Sequence, residues 1–524
     1  MQLVTSQQIA AIDKRTIEQH GIPGITLMHR AGQAVVSELL ARVGSVSGER
    51  VIVLCGRGNN GGDGFVVARL LREQKAKVEV YLLAEQEKIT GDAKLAMEEW
   101  LVAGGTITPL VDDEALLRAA GTWGGADYLI DGLLGTGLRG EAHGVMRTAI
   151  EAVDRLRVPL VAIDIPSGIS SDTGQVCGVA LRATLTVTFG LPKVGHAFYP
   201  GKRHCGTLCV ADIGFPQEAL EAEAGKTFMA GRDDACRWVP RREPDAHKGS
   251  VGRVLVVAGS VGMTGAAALS SETALRAGAG LVYLACPESL NDILEVKLTE
   301  VITIPLPEVR RKRCLALRAH GEVRRLAEDV NVVAIGPGLG RHRETTELVR
   351  RFVGECAKPL VIDADGLFAL SPVSSLTGKS ADGFRFGEGV VLTPHYGECA
   401  RLLGVDIPDV RKDPVGTCQR AAKEWGLTLL LKGAPTVVCG PSGETWVNPT
   451  GNPGMASAGS GDVLTGLIAG FIAQGIEPEI AARLGAYVHG MAGDFARDEL
   501  GVHGMIAGDI LRHVPKTLKE LAST

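Results

Sequence analysis

Val51-Ile52-Val53-Leu54-Cys55-Gly56-Arg57-Gly58-Asn59-Asn60-Gly61-Gly62-Asp63-Gly64 is an apolar run that breaks into glycines. The first five residues read as a buried strand. Gly56, Gly58 and Gly61 satisfy G-x-G-x-x-G, and the apolar stretch at 65–74 reads as a helix. Strand, glycine turn and helix make the first half of a βαβ unit. The pattern by itself fits a structural turn as well as a phosphate cradle. Asn59, Asn60 and Asp63 add something that a simple dinucleotide turn does not need. A carboxylate there would repel a pyrophosphate, whereas two amides and a carboxylate are oxygen donors suited to a hard cation.

Working outward, the same grammar recurs. Upstream, Thr5 and Gln8 have capping-box spacing, with Ile9, Ile12 and Ile17 on one helix face and Gly21 to Gly24 as the stop. A second helix is expected at 26–43. Downstream, strands are expected at 77–83, 128–131 and 159–164, the last two ending on Asp131 and Asp164. Glu85 stands where a ribose-binding acid would stand in an ordinary dinucleotide fold. Alternating strands and helices predict a parallel sheet that binds ligands beyond its carboxyl edge. Residues 56–64, Asp131 and Asp164 therefore converge on one rim. Asp131-Gly132-Leu133-Leu134-Gly135-Thr136-Gly137-Leu138-Arg139-Gly140 could wrap a phosphate, or be a turn that Asp131 caps.

Residues 217–245 change character, ending in Pro240-Arg241-Arg242-Glu243-Pro244. The expected organisation is a domain at 1–218, a linker at 219–244 and a domain at 245–524. The second series has strands at 253–258, 330–335, 359–363, 390–393 and 427–432, with a surface loop at 371–389. Ala458-Gly459-Ser460-Gly461-Asp462 precedes an apolar helix expected at 463–474. Amides there would form an anion hole. Asp462 suits plain helix capping as well as the role of base in phosphoryl transfer. His395, after Pro394 at a strand end, could be a packed histidine or a ligand contact; His489 reads as structural.

Composition narrows the classes. At 524 residues the chain needs more than one domain. Glycine is 68 of 524 without a period, so the excess reads as loops. Net charge is −5, with 4% aromatics and no basic stripe, which argues against nucleic acid. The 11 cysteines contain no Cys-x-x-Cys pair, and reduced thiols in the cytoplasm are expected. No apolar run is long enough for a membrane span and no secretory leader is visible. None of the 12 histidines has zinc spacing.

Residues 1 to about 215 resemble the YjeF N-terminal domain, the NAD(P)H-hydrate epimerase. The shared motifs are Gly58 to Gly64, Asp131 to Gly137 and Asp164-Ile165-Pro166-Ser167-Gly168. The resemblance implies a Rossmann-like three-layer α/β/α sandwich. It implies that the hydrated dinucleotide binds at Asn59, Asn60, Gly61, Gly62 and Asp63. Gly135, Thr136, Gly137, Leu138, Arg139, Gly140 and Glu141 would form the second binding loop. Asn60, Asp131 and Ser167 would hold potassium, and Asp164 would contact the substrate as the candidate acid/base. Leu27-Met28-His29 departs from the family's usual acidic residue after Met.

Residues from about 245 to 520 resemble the YjeF C-terminal domain, a ribokinase-like α/β fold and NAD(P)H-hydrate dehydratase. Matching pieces include His247-Lys248-Gly249, Arg276 to Gly280, Gly336 to Gly340, Thr393-Pro394-His395, Lys432 to Thr436 and Gly459 to Asp462, with Ser460 in place of the usual threonine. The resemblance implies nucleotide contacts from Lys432, Gly433, Ala434, Pro435, Thr436 and Gly461. It implies substrate contacts from Ala266, Gly338, His395 and Asp462, the last as base. Mg²⁺ is expected with the nucleotide, and the two-domain fusion points to ADP. Repair of NADHX and NADPHX (hydrated NADH and NADPH) is thus expected of a homo-oligomer. The alternatives are a ribokinase-like small-molecule kinase fused to a nucleotide-binding domain, and a non-enzymatic binding role for the first half.

Overall fold

Alternation along one strand sets the layering of the first half. In the computed structural model, which describes residues 1–373 and 386–523, β1 is Arg50–Cys55. Val51, Val53 and Cys55 enter one core with the helices Gly24–Val43, Asn59–Glu73 and Gly91–Val102. Ile52 and Leu54 enter a second core with the helices Asp113–Ala120 and Val145–Asp154. A strand apolar on both faces requires cover on both, which gives three layers.

The chain divides into two compact units, 2–227 and, apart from Met1, 228–524. In the first, β2 (Lys77–Leu82), β3 (Ile107–Pro109), β4 (Tyr128–Gly132), β5 (Leu160–Ile163), β6 (Leu185–Phe189) and β7 (Thr207–Ala211) join β1. The sheet order is β3-β2-β1-β4-β5-β6-β7, parallel throughout. The direction of winding reverses at β1 and β4, where ligands of such sheets bind.

In the second unit, β9 (Arg253–Val257), β10 (Leu281–Pro287), β11 (Ile302–Leu306), β12 (Val332–Ile335), β13 (Leu360–Ile362), β14 (Val390–Leu392) and β15 (Thr428–Leu431) form a parallel block. β16 (Thr436–Cys439) and β17 (Thr445–Asn448) continue it antiparallel, and β8 (Thr227–Met229) ends the row. Val254, Val256, Val332 and Ala334 face a core built from the helices Thr264–Arg276, Ser460–Ala473, Pro478–Leu500 and Ala507–Ala522.

Several boundaries differ from the sequence reading for local reasons. The first glycine segment is mostly helix, starting at Asn59 rather than 65. Gly58 is extended at φ −97°, so no left-handed turn demands these glycines. Close packing does: a Cβ on Gly61 would stand 1.9 Å from the Gly56 oxygen. The second helix begins at Ser460 rather than 463, after Gly459 at φ 91°. Ile9 and Ile12 are buried as expected, but Ile17 is 40% exposed and Thr16 takes its place. The Thr16 hydroxyl donates to the Ile12 carbonyl at 2.8 Å, which satisfies it. The segment 219–244, expected as a linker, carries part of the helix Gln217–Glu223, β8 and the helix Arg232–Trp238. Most of the loop expected at 371–389 lies outside the described residues. No helix among the described residues is long and apolar enough to cross a membrane.

Candidate active sites

In the first unit, a cleft of about 930 Å³ opens at the carboxyl edge of β1, β4 and β5. Asn59, Asn60, Asp63, Gly135, Thr136, Gly137, Leu138, Arg139, Glu141 and Asp164 line it. Of the expected ligand residues, Gly61, Gly62 and Gly140 do not. Gly61 is pressed on Gly56, and a Cβ on Gly62 would meet the Met28 sulfur at 2.7 Å, so both are packing residues. Glu85, beyond β2, also lines the cleft and pairs with Lys88 at 2.9 Å.

Asp131 is the next-to-last residue of β4 and is fully buried. Its carboxylate accepts from the Ser167 N–H at 2.8 Å, the Ser167 hydroxyl at 2.6 Å and the Leu133 N–H at 3.2 Å. Burial pushes its pKa up to about 6 against those three donors. No cationic side chain among the described residues bonds to it. Asn60 stands against the same turn: a Cβ on Gly132 would lie 2.9 Å from the Asn60 carbonyl, and one on Gly135 3.3 Å from its side-chain oxygen. The three residues expected to hold potassium are thus brought together. All offer oxygen, the donor type that hard cations take.

Asp164 follows β5 with φ 65°, a left-handed conformation that is strained for a residue with a Cβ. The Thr188 hydroxyl donates to its Oδ1 at 2.8 Å, and the Lys193 ammonium bonds the same oxygen. Lys193 is 1% exposed. Burial would raise the Asp164 pKa, but the Lys193 charge and hydrogen bond outweigh it and hold the carboxyl below its usual range. Asp63 goes the other way: burial, then the Asp164 and Asp13 charges, push it well above. Asp13 rises to about 6 by burial. Removing one partner of a buried pair such as Asp164–Lys193 costs about 3–5 kcal/mol. The sequence reading missed Lys193, Thr188 and Asp13. Lys193 lies in Leu191-Pro192-Lys193-Val194-Gly195, which has no motif spacing.

In the second unit the expected residues gather at the carboxyl ends of β12 to β15. Asp462 sits in the first turn of Ser460–Ala473. Burial, then the Asp363 charge, raises its pKa to about 7, with Lys432 opposing. Lys432 follows β15 and donates to Asp363 Oδ1 at 2.6 Å, with Glu398 at 3.8 Å. Burial would lower the Lys432 pKa, but those carboxylates raise it. Thr465 donates to the other Asp363 oxygen at 2.8 Å. Gly461 faces this pair: a Cβ there would lie 3.3 Å from Lys432 Nζ. Gly433, Ala434 and Pro435 turn from β15 into β16, and the Thr436 hydroxyl donates to the Gly433 carbonyl at 3.1 Å.

His395 caps the helix Tyr396–Leu403, its Nδ1 accepting from the Gly397 N–H at 3.0 Å. Its side chain is exposed, and its backbone pairs with that of Lys432 in an isolated parallel β-bridge. Gly338 touches Ala266, where a Cβ would stand 3.1 Å from the alanine methyl. His489, read as structural, is half-buried and its Nε2 lies 3.2 Å from the Ser460 hydroxyl. Burial lowers its pKa to about 4, so it is neutral. Asp363 and Glu398 were missed as site residues, because a strand-end aspartate and a helix-cap glutamate look ordinary in sequence.

The family description "NAD(P)H-hydrate dehydratase" matches residues 254–516, and "YjeF-related protein N-terminus" matches 24–195. A bifunctional NAD(P)H-hydrate repair enzyme Nnr of Moorella thermoacetica is 43% identical, over 99% of this chain and 97% of its own. This chain belongs to the bifunctional NAD(P)H-hydrate repair family. A second family member, from Thermofilum pendens, is 38% identical over 99% and 97% of the two chains. The solved ADP/ATP-dependent NAD(P)H-hydrate dehydratase from Bacillus subtilis, co-crystallised with ATP and Mg²⁺, is 29% identical. It covers 56% of this chain and 98% of its own, with a TM-score of 0.48. The family match spans both units, so each of the two sites falls inside it.

Proposed function

We propose that the two units act on successive forms of one damaged cofactor, NADHX or NADPHX, in the cytoplasm. The first unit interconverts the R and S hydrates, and the second dehydrates the S hydrate with ADP. One observation carries this reading. Each unit presents a half-buried aspartate at the carboxyl edge of its sheet, Asp164 in a large cleft and Asp462 in a helix's first turn.

The hydrate carries its hydroxyl on C6, next to ring nitrogen N1. Asp164, ionised, takes the hydroxyl proton while the C6–N1 bond breaks. That electron pair moves onto N1 and through the C2=C3 bond to the carboxamide oxygen. The resulting aldehyde rotates, N1 attacks its other face, and Asp164 returns the proton. General acid–base assistance of this kind contributes about 10²–10⁴-fold. Asn59 and the 135–141 loop bind the dinucleotide; the helix N-terminus at Asn59 suits its pyrophosphate.

Asn60, Asp131 and Ser167 would hold K⁺. The fit rests on Asp131, a fully buried carboxylate whose bonding partners are all neutral. Bound there, the cation would neutralise that charge and brace the turn against the substrate.

In the second unit, Asp462 removes the C6 hydroxyl proton as that oxygen attacks the terminal phosphorus of ADP and AMP departs. Phosphate then leaves C6, pushed by the N1 lone pair. Loss of a C5 proton gives the C5=C6 bond of NAD(P)H. Hydroxide is a poor leaving group and phosphate a good one, which is why the nucleotide is needed. The Gly459–Gly461 amides stabilise the transferring phosphoryl group. Gly461 and the Lys432–Thr436 turn contact the nucleotide, while Ala266, Gly338 and His395 contact the hydrate. Among the described residues no group of three His, Cys, Asp or Glu side chains is placed to hold a metal ion, and Asp363 is occupied by Lys432 and Thr465. This fits Mg²⁺ arriving on the nucleotide's phosphates, where it neutralises their charge.

Incubating each hydrate separately with ADP or ATP tests the reading. R hydrate without nucleotide should yield S hydrate, and S hydrate with ADP should yield NAD(P)H, AMP and phosphate. A phosphorylated product that accumulates would instead establish a small-molecule kinase.

A further inference from the structure

Lys193 belongs to none of the motifs that carry the family resemblance, yet it is among the largest fully buried side chains of the protein. We propose that Lys193 is a positioning residue for epimerisation: its buried ammonium anchors one oxygen of Asp164 and keeps that carboxylate ionised, leaving the other oxygen to take the C6 hydroxyl proton. This rests on the epimerase reading above.

The geometry carries it. Lys193 and Thr188 both bond Oδ1 of Asp164, and Oδ2 accepts no hydrogen bond among the described residues. The Asp164 side chain is 13% exposed and lines the cleft. The ammonium has three hydrogens and three acceptors: Asp164, the Thr188 hydroxyl at 2.8 Å and the Phe189 carbonyl at 3.4 Å. No donor is left over for substrate, so Lys193 acts through Asp164. Its backbone is held too, with its N–H donating to His196 Nδ1 at 3.1 Å.

The surrounding charges explain why a cation is required. Asp63 reaches the group from the helix Asn59–Glu73 and Asp13 from Ser6–His20, while Asp92 on Gly91–Val102 acts on Asp13. Thr188 comes from β6, and His196 beside Lys193 is neutral, its pKa lowered to about 3 by burial and then by the Lys193 charge. Lys193 is therefore the cation set against three neighbouring carboxyl groups. Without it, burial and the neighbouring Asp63 and Asp13 would act on Asp164 with no lysine to oppose them, which raises its carboxyl and favours the protonated form that cannot act as base.

The test measures R-to-S conversion by the full chain without nucleotide, from about pH 5 to 9. Wild type should be flat, because Asp164 stays ionised throughout. Lys193→Met should be slower by about 30-fold or more at pH 6, recovering to within about threefold at pH 9 as Asp164 ionises. Lys193→Arg, which keeps the charge, should keep the flat profile with less than about a tenfold loss of kcat. Melting curves establish that the first unit is folded in each variant. If Lys193→Met does not fold, the wild-type and Thr188→Val profiles are extended down to about pH 3, below the ordinary carboxylate range, where loss of one of the two bonds to Oδ1 should move the acid limb up by about half a unit. An unshifted profile in a folded Lys193→Met or in Thr188→Val, or a shift in Lys193→Arg, overturns the proposal. Absence of conversion in wild type overturns the epimerase reading instead.

Discussion

Asp164 follows a strand in the first unit and Asp462 opens a helix in the second, and burial favours the neutral form of both. They end in opposite states. In the first unit, Lys193 is bound to the aspartate of the cleft and holds it below the usual carboxylate range. In the second, the half-buried Lys432 is paired instead with Asp363 and Glu398, and Asp462 rises to about 7. The position of one lysine thus decides whether an aspartate is a permanent anion or a group that titrates near neutrality. The chemistry proposed for each fits its state. Hemiaminal opening needs a standing base at every pH. A base that takes one proton as phosphoryl transfer begins works best with a pKa near the operating pH.

The largest expected effects come from removing one aspartate at a time. Asp462→Asn should reduce ADP-dependent dehydration by about 10²–10⁴-fold and leave R-to-S conversion unchanged, and Asp164→Asn should do the reverse. Chromatography of both hydrates and of NAD(P)H from the same reactions reads both activities. Loss of both from either substitution would break the division of labour. A smaller effect should follow from the glycines that face each charged cluster. Gly461→Ala would put a methyl 3.3 Å from Lys432 Nζ, and Gly135→Ala one 3.3 Å from the Asn60 side chain. Both neighbours can yield by a few tenths of an ångström, so KM should rise by about 3–10-fold in the affected unit only, for nucleotide and for R hydrate respectively. Steady-state kinetics on both substrates check this, and an effect crossing between the activities would blur the comparison.

The architecture was largely legible because parallel sheets covered on both faces spell continuous apolar runs, as in 51–55 and 332–335. Asp131, Asp164 and Asp462 were legible because each follows such a run or opens a helix beside glycines. Short strands such as Ile107–Pro109 and Thr207–Ala211 were not, since they are partly exposed and carry no pattern of their own. The glycine segment 56–64 was found but misread as a loop. Its glycines serve close packing against β1 and β4 inside a helix's first turns, a demand that appears only when the strands are placed. Lys193 escaped for a related reason. A lysine in a chain with 55 basic residues reads as surface, and only the fold reveals that this one is buried 29 positions from its partner.

The most direct test is to record both pH–rate profiles on one preparation of the unmodified full-length chain. An aspartate acting as base works only when ionised. Dehydration of S hydrate with saturating ADP should therefore rise with pH and level off above about 7. R-to-S conversion should show no acid limb from about pH 5 to 8, because Asp164 is held below its ordinary value. Two profiles sharing one acid limb, or epimerisation falling away at the higher pH of the two, would contradict the account.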